Sequence, residues 1–126
     1  ERALRALYKD YASTYKDLLL KSNKTTMEVK RLRTLILEVF KTLNGLNPSY
    51  MKEIFHKSTN LTHRPNNLLV HHHNTTKYGN KSLRTLAPQV WNALPEPIKS
   101  GTNLKRFTKI INQWCGLSCK CSLCNF

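Results

Sequence analysis

Two apolar stripes at helical spacing constrain the fold of this chain more than any other feature of its sequence. The stripe in the first half consists of Leu32, Leu35, Ile36, Val39, Phe40 and Leu43. The stripe near the C-terminus consists of Leu104, Phe107, Ile110, Ile111 and Trp114. Apolar residues that recur every three or four positions form one continuous face of a helix, and that face is typically buried. The sequence therefore predicts a mainly α fold, a small bundle of four or five short helices.

Local signals predict where the long helix begins and ends. Thr25 and Glu28 have the spacing of a capping box, in which side chains satisfy the free backbone N–H groups of the first turn. Asn44 and Gly45 supply the left-handed stop that helices favour. Pro48 is predicted at the first position of the next helix, where its missing N–H is harmless.

Shorter helices are predicted on both sides of these elements. Residues 1–9 have a helical pattern, and Ser13 or Thr14 is expected to cap a second short helix. Further along, Pro88 is expected to open a short helix and Thr102 to cap the last one. The helix opened by Pro88 would carry Val90, Trp91 and Leu94, and we expect both tryptophans of the chain, Trp91 and Trp114, to lie in the core.

The middle of the chain, residues 56–81, has a different character. It is rich in Asn, Thr, His and Lys, which predicts a long irregular loop. One apolar run favours a short strand at 67–71, and a second strand near 75–78 or 82–86 would complete a minor β-hairpin. The predicted organisation is a helical segment at 1–55, this loop, C-terminal helices at 82–115 and a cysteine-rich tail at 116–126.

The charge balance indicates the kind of partner. Twenty-one Lys and Arg residues face seven Asp and Glu residues, which gives a net charge of +14. RNA or DNA suits such a surface, because the release of counterions from phosphates drives the association. The alternative is a solvated basic face that binds nothing in particular. The candidate phosphate-binding residues are Lys30, Arg31, Arg33, Lys77, Lys81, Arg84, Lys105, Arg106 and Lys109, with Tyr78 as a ring that could stack on an unpaired base.

The four cysteines form one cluster in the tail. No stretch approaches the ~20 apolar residues of a membrane span and no signal-peptide core is present, so we expect an intracellular, reducing setting in the nucleus or cytoplasm and no membrane partner. Clustered thiolates in that setting favour Zn²⁺ over disulfides. A site that uses three cysteines and a histidine, or a set of free thiols, remains open. The candidate zinc ligands are Cys115, Cys119, Cys121 and Cys124.

Histidines and catalytic motifs add little to this interpretation. Neighbouring side chains of an extended segment point to opposite faces, so His71, His72 and His73 are interpreted as solvated loop residues. No hydrolase elbow, zinc-protease motif or phosphate-binding glycine loop occurs. We therefore expect neither an enzyme nor a small-molecule substrate.

An ordered series of short motifs covers nearly the whole chain. The motifs are ERALR at 1–5, FKTLNGLNPSY at 40–50, YG at 78–79, APQVWNALP at 87–95 and LKRF at 104–107. Their order and spacing, which are more specific than any one member, are similar to the end of the reverse transcriptase of non-LTR (LINE-type) retrotransposons. The chain begins at Glu1 with no initiating methionine, so we expect that a preceding part is missing.

The resemblance implies a non-catalytic module that follows the polymerase thumb. Two-metal phosphoryl transfer needs clustered carboxylates, and the only aspartates are Asp10 and Asp17. The module would bind template RNA or target DNA during target-primed reverse transcription, and its partners would include the upstream polymerase domains. Two alternatives stay open: a structural brace that packs on those domains, and a functionless relic of a decayed element.

Overall fold

The fold is mainly helical, as predicted. The computed structural model describes residues 1–58, 66–71 and 76–116. Two helices of a single turn raise the number of helices above the four or five expected. None of the helices formed by these described residues is long and apolar enough to cross a membrane. The elements in chain order are α1 (Arg2–Tyr8), α2 (Tyr15–Lys21), α3 (Met27–Leu43), a 3-10 helix (Ser49–Ile54), α4 (Thr76–Gly79), α5 (Leu83–Asn92), α6 (Glu96–Lys99) and α7 (Leu104–Gln113).

Side-chain caps fix the beginnings of α2 and α3. Thr14 caps α2 in a capping box with Asp17, one of the two positions predicted. At α3 the predicted box between Thr25 and Glu28 is wrong by one residue, because the hydroxyl of Thr26 accepts from the Val29 N–H at 3.3 Å. Thr25 and Thr26 both carry a hydroxyl that can accept from a first-turn N–H, so the backbone conformation determines which of them caps the helix.

Three further helix boundaries differ from the predictions. α5 begins after Ser82, so Pro88 lies inside the helix instead of opening it. A proline there removes one backbone hydrogen bond, and burial of the surrounding apolar face offsets that loss. Pro48 precedes the 3-10 helix as its N-cap. The last helix is capped by Asn103, not Thr102, because the Asn103 side chain accepts from the Arg106 N–H at 3.2 Å.

The predicted β-hairpin is replaced by one isolated antiparallel bridge between Lys57 and Leu68. Both proposed positions of its second strand are wrong, because residues 76–79 and 83–86 are helical. Leu83 and Leu86 belong to a face with a 3.6-residue period that continues through α5, and this period excludes a strand.

The core lies where α3 packs against α5 and α7. Ile36, Val39 and Phe40 of the predicted stripe have no exposed surface. Phe107 and Ile111 of α7 are buried against them. Both tryptophans are buried, as predicted, and Trp91 is 1% exposed.

Candidate nucleic-acid interface

The direction of α7 determines where its basic residues lie. The rings of Phe40 and Phe107 stack with their centroids 4.0 Å apart. The Arg33 side chain donates from Nε to the Trp114 carbonyl oxygen at 2.8 Å. Arg33, which precedes Phe40 in α3, thus contacts Trp114, which follows Phe107 at the end of α7. The two helices therefore run antiparallel.

The start of α5 lies beside the N-terminal half of α3. Lys81 and Leu86 line the same groove as Arg31 and Leu32. At the other end of α5, the Trp91 ring lies 6.0 Å from that of Phe107, at the level of Phe40. α5 and α3 therefore run in the same direction, which brings basic residues of the two helices together at one end of the bundle.

Seven of the nine predicted phosphate-binding residues have exposed side chains. Long cationic side chains that emerge from packed helices present charge on a rigid frame, which suits contacts with phosphates. None of the seven forms a salt bridge with any carboxylate in the described parts of the chain. These residues are Lys30, Arg31, Lys81, Arg84, Lys105, Arg106 and Lys109.

Four of the seven acidic residues are paired with other basic side chains. Hydrogen bonds from Lys21, and next from Ser13, hold the pKa of Asp10 far below its usual range. A hydrogen bond from Lys41 likewise lowers the pKa of Glu38. The other two ion pairs join Glu1 to Arg5 and Glu96 to Lys99. Because these four carboxylates are engaged elsewhere, they do not pair with any of the seven exposed cations.

The exposed cations fall into two groups. The first, the α3–α5 basic group, consists of Lys30, Arg31, Lys81 and Arg84. The second, the α7 basic group, consists of Lys105, Arg106 and Lys109, next to Phe107 at the level of Phe40. The level of Arg31 in the first group and the level of Phe40, beside the second group, are about 14 Å apart along α3, at a rise of 1.5 Å per residue. One strand of a duplex presents about four phosphates over that length.

The other candidates for nucleic-acid contacts are placed differently. Arg33 is half-buried and its hydrogen bond to Trp114 joins α3 to the end of α7. That contact makes it a weaker candidate than the seven exposed residues. The side chain of Lys77 lies outside the described residues. Tyr78 is 78% exposed, and its carbonyl oxygen accepts from the N–H of Lys81, a member of the α3–α5 basic group, at 3.2 Å.

The predicted zinc ligands lie mostly outside the described residues. Three of the four lie there, namely Cys119, Cys121 and Cys124. Cys115 is described: it is exposed, and its Sγ donates to the Gln113 carbonyl oxygen at 3.4 Å. Within the described ranges, no three His, Cys, Asp or Glu side chains are grouped closely enough to hold a metal ion. The zinc site therefore stays a prediction.

The histidine run is only partly described. The ring of His71 lies edge-on to that of His56, with centroids 6.2 Å apart. His72 and His73 lie outside the described residues.

An asparagine that the sequence did not single out holds the segment 66–68 against α5. The Asn92 side chain accepts from the Leu68 N–H and donates to the Leu68 carbonyl oxygen, both at 2.8 Å. Beside it, the Trp91 Nε1–H donates to the carbonyl oxygen of Asn66 at 2.9 Å. The Trp-Asn pair of the family-like motif thus has a structural role, in which it fixes the chain that precedes α4.

A buried ion pair completes this attachment. The Lys99 side chain is 1% exposed, pairs with Glu96 at 2.9 Å and donates to the Asn67 side chain at 2.6 Å. The second carboxylate oxygen of Glu96 accepts from the Asn66 amide at 3.1 Å. No sequence signal distinguishes Lys99 from the exposed lysines, although its i, i+3 spacing from Glu96 was a hint of pairing.

No protein-family model matches the chain, and no curated protein or solved structure resembles it significantly.

Proposed function

We propose that this chain is a non-catalytic module that binds template RNA or target DNA for a non-LTR retrotransposon reverse transcriptase. One observation carries the proposal: seven exposed cations have no salt-bridge partner in the described parts of the chain. Six of them lie on three packed helices, and Lys81 lies in the turn before α5. An uncompensated charge on a rigid surface is the arrangement that gains most from counterion release. The retrotransposon assignment rests on the motif series alone.

The test is binding of the purified chain to labelled single-stranded RNA, structured RNA and duplex DNA across a salt series. Each phosphate contact contributes about 0.7 to the slope of log affinity against log salt for single strands, and about 0.9 for duplex DNA. Replacing Lys105, Arg106 and Lys109 together with Ala should therefore reduce the slope by about 2 to 3.

A matched triple variant separates a defined interface from general charge. The control replaces three exposed lysines that belong to neither basic group, Lys16, Lys24 and Lys52, with Ala. It removes the same charge as the α7 triple variant. The proposal requires this control to keep most of the wild-type slope. An equal loss in both triple variants would show that net charge alone accounts for binding.

The cysteine-rich tail is proposed to bind Zn²⁺ and to add to the nucleic-acid surface. The test is the zinc content of the purified protein, measured with Cys121 and Cys124 intact and after replacement by Ser. Stoichiometric zinc that is lost in the variant supports the site, and absence of zinc from protein purified without chelators contradicts it.

A structural brace is the second candidate, and the surface of the N-terminal helices favours it. No residue of α1 is buried, and Leu7, Tyr11 and Leu20 are 71%, 75% and 79% exposed. An apolar surface of this kind typically packs against a protein partner. A brace predicts negligible, salt-independent binding of nucleic acid and a higher melting temperature of the upstream polymerase when the two are joined.

A further inference from the structure

An open groove of about 560 Å³ lies between the first turns of α3 and the beginning of α5. Its volume is within the range of sites that hold a ligand or a few side chains. Most of its lining is apolar. The lining residues are Met27, Glu28, Arg31, Leu32, Lys81 and Leu86.

The apolar part of the groove is accessible and is supported from below. Met27 is 73% exposed, so its flexible side chain is free to adapt to an occupant. Leu32 and Leu86 are partly buried and pack on the hydrophobic core. The floor is therefore held in place by the core while its outer surface is open.

The charges around the groove select the occupant. Arg31 on α3 and Lys81 before α5 are both exposed, and among the described residues that line the groove Glu28 alone is acidic. We propose that this groove binds an acidic amphipathic helical peptide of another protein, with its apolar side chains on Met27, Leu32 and Leu86.

The chemistry of the floor favours a peptide over a nucleobase. Bases stack on aromatic rings, and none of the described residues that line the groove is aromatic. Aliphatic side chains at positions i and i+4 of a helix fit an aliphatic groove. Carboxylates beside them would meet Arg31 and Lys81. This peptide site goes beyond the nucleic-acid function and does not depend on it, although the two share these cations.

The test uses a fluorescein-labelled peptide of about 14 residues with Leu at i, i+4 positions and Glu on its other faces. A scrambled peptide of the same composition and charge separates apolar insertion from charge attraction. The patterned peptide should bind the full chain at least about tenfold more tightly, as measured by fluorescence anisotropy.

Variants of exposed residues test the groove without disturbing the core. Met27→Glu and Arg31→Glu should each weaken binding about tenfold, while Met27→Leu should retain it. Glu28→Gln should strengthen binding about twofold, because it removes the one unfavourable charge. Lys16→Glu on α2 changes the charge by the same amount as Arg31→Glu and should have little effect. Glutamate in the first turn is compatible with a helix, so Met27→Glu should keep the wild-type circular dichroism spectrum.

Several outcomes would overturn the proposal. Equal affinity for both peptides, or unchanged affinity of Met27→Glu, means that the groove is not the peptide site. If the peptide does not bind and the chain instead self-associates in a way that depends on Met27, the groove is the site of a second copy of the chain. If the peptide does not bind and RNA binding depends on Met27, the groove is part of the nucleic-acid surface. The triple variant in α7 lies outside the groove, so a failure of the nucleic-acid proposal is seen separately.

Discussion

The α1–α2 hairpin and the α3–α5–α7 core are stabilised in different ways. In the core, Ile36, Val39 and Phe40 have no exposed surface. In the hairpin, no residue of α1 is buried and Leu18 is the buried residue of α2. The contacts of α1 include hydrogen bonds from Arg5 to Glu1 at 2.8 Å and to the Tyr11 carbonyl oxygen at 3.0 Å. Exposed ion pairs contribute only about 0–1 kcal/mol each. Stability is therefore concentrated in the second region, and the hairpin is expected to open more easily.

The largest expected effect comes from Trp91 in the core. Trp91→Ala leaves a cavity and removes the hydrogen bond to Asn66, so it should lower the free energy of unfolding by about 3–5 kcal/mol. Leu7→Ala in the exposed hairpin should change it by less than about 0.5 kcal/mol. Urea unfolding measures both. Similar losses in the two variants would mean that the hairpin is as well packed as the core.

The next effect concerns the attachment of the segment 66–68. Asn92→Ala leaves the N–H and carbonyl groups of Leu68 without their side-chain partner, so we expect a loss of about 2 kcal/mol. Asn112 is exposed on α7 and provides the matched control, with no loss expected for Asn112→Ala. Equal melting temperatures for the two variants would argue against the attachment.

A smaller effect tests the beginning of α3. Thr26→Ala should cost about 1 kcal/mol, because Thr26 is the residue that caps the helix. Thr25→Ala should cost much less. The reverse order in chemical denaturation would support the capping box predicted from the sequence.

The smallest effect is the acid response of the hairpin. Because the folded pKa of Asp10 is depressed, its contribution is fully present above the unfolded pKa of about 3.9 and is lost as the pH falls through the folded pKa. Amide chemical shifts around Asp10 should therefore keep their neutral-pH values until the pH is well below 4, lower than an unpaired aspartate would allow. Asp10→Asn should abolish this late change. A normal pKa for Asp10, measured by NMR titration, would rule out the pairing with Lys21.

The sequence predicted the helical class and most of the core because both depend on periodicity. The stripes of α3 and α7 placed Phe40, Phe107 and Trp114 correctly in the interior, and the apolar face predicted after Pro88 did the same for Trp91. Caps were harder to predict because chemically equivalent residues stand side by side at Thr25 and Thr26. The helix around Pro88 was shortened because local propensity disfavours proline, whereas burial of the whole face determines the outcome.

The candidate site was predictable only as a set of charges. Exposure of the basic residues follows from their positions opposite the apolar stripes. Arg33 is three and seven residues before Ile36 and Phe40, so its position at the edge of the buried face could have been anticipated. The attachment by Asn92 joins residues 24 positions apart, and no local pattern indicates a contact of that range.

The attachment by Asn92 also closes an edge to strand addition. On one side of the segment 66–68, the Asn67 carbonyl oxygen accepts from the Ser58 N–H, and the Leu69 N–H donates to the His56 carbonyl oxygen. On the other side, the amide of Asn92 takes both backbone groups of Leu68, as a neighbouring strand would. An unpaired strand edge is a template for aggregation. A single side chain thus protects this extended segment from pairing with another chain.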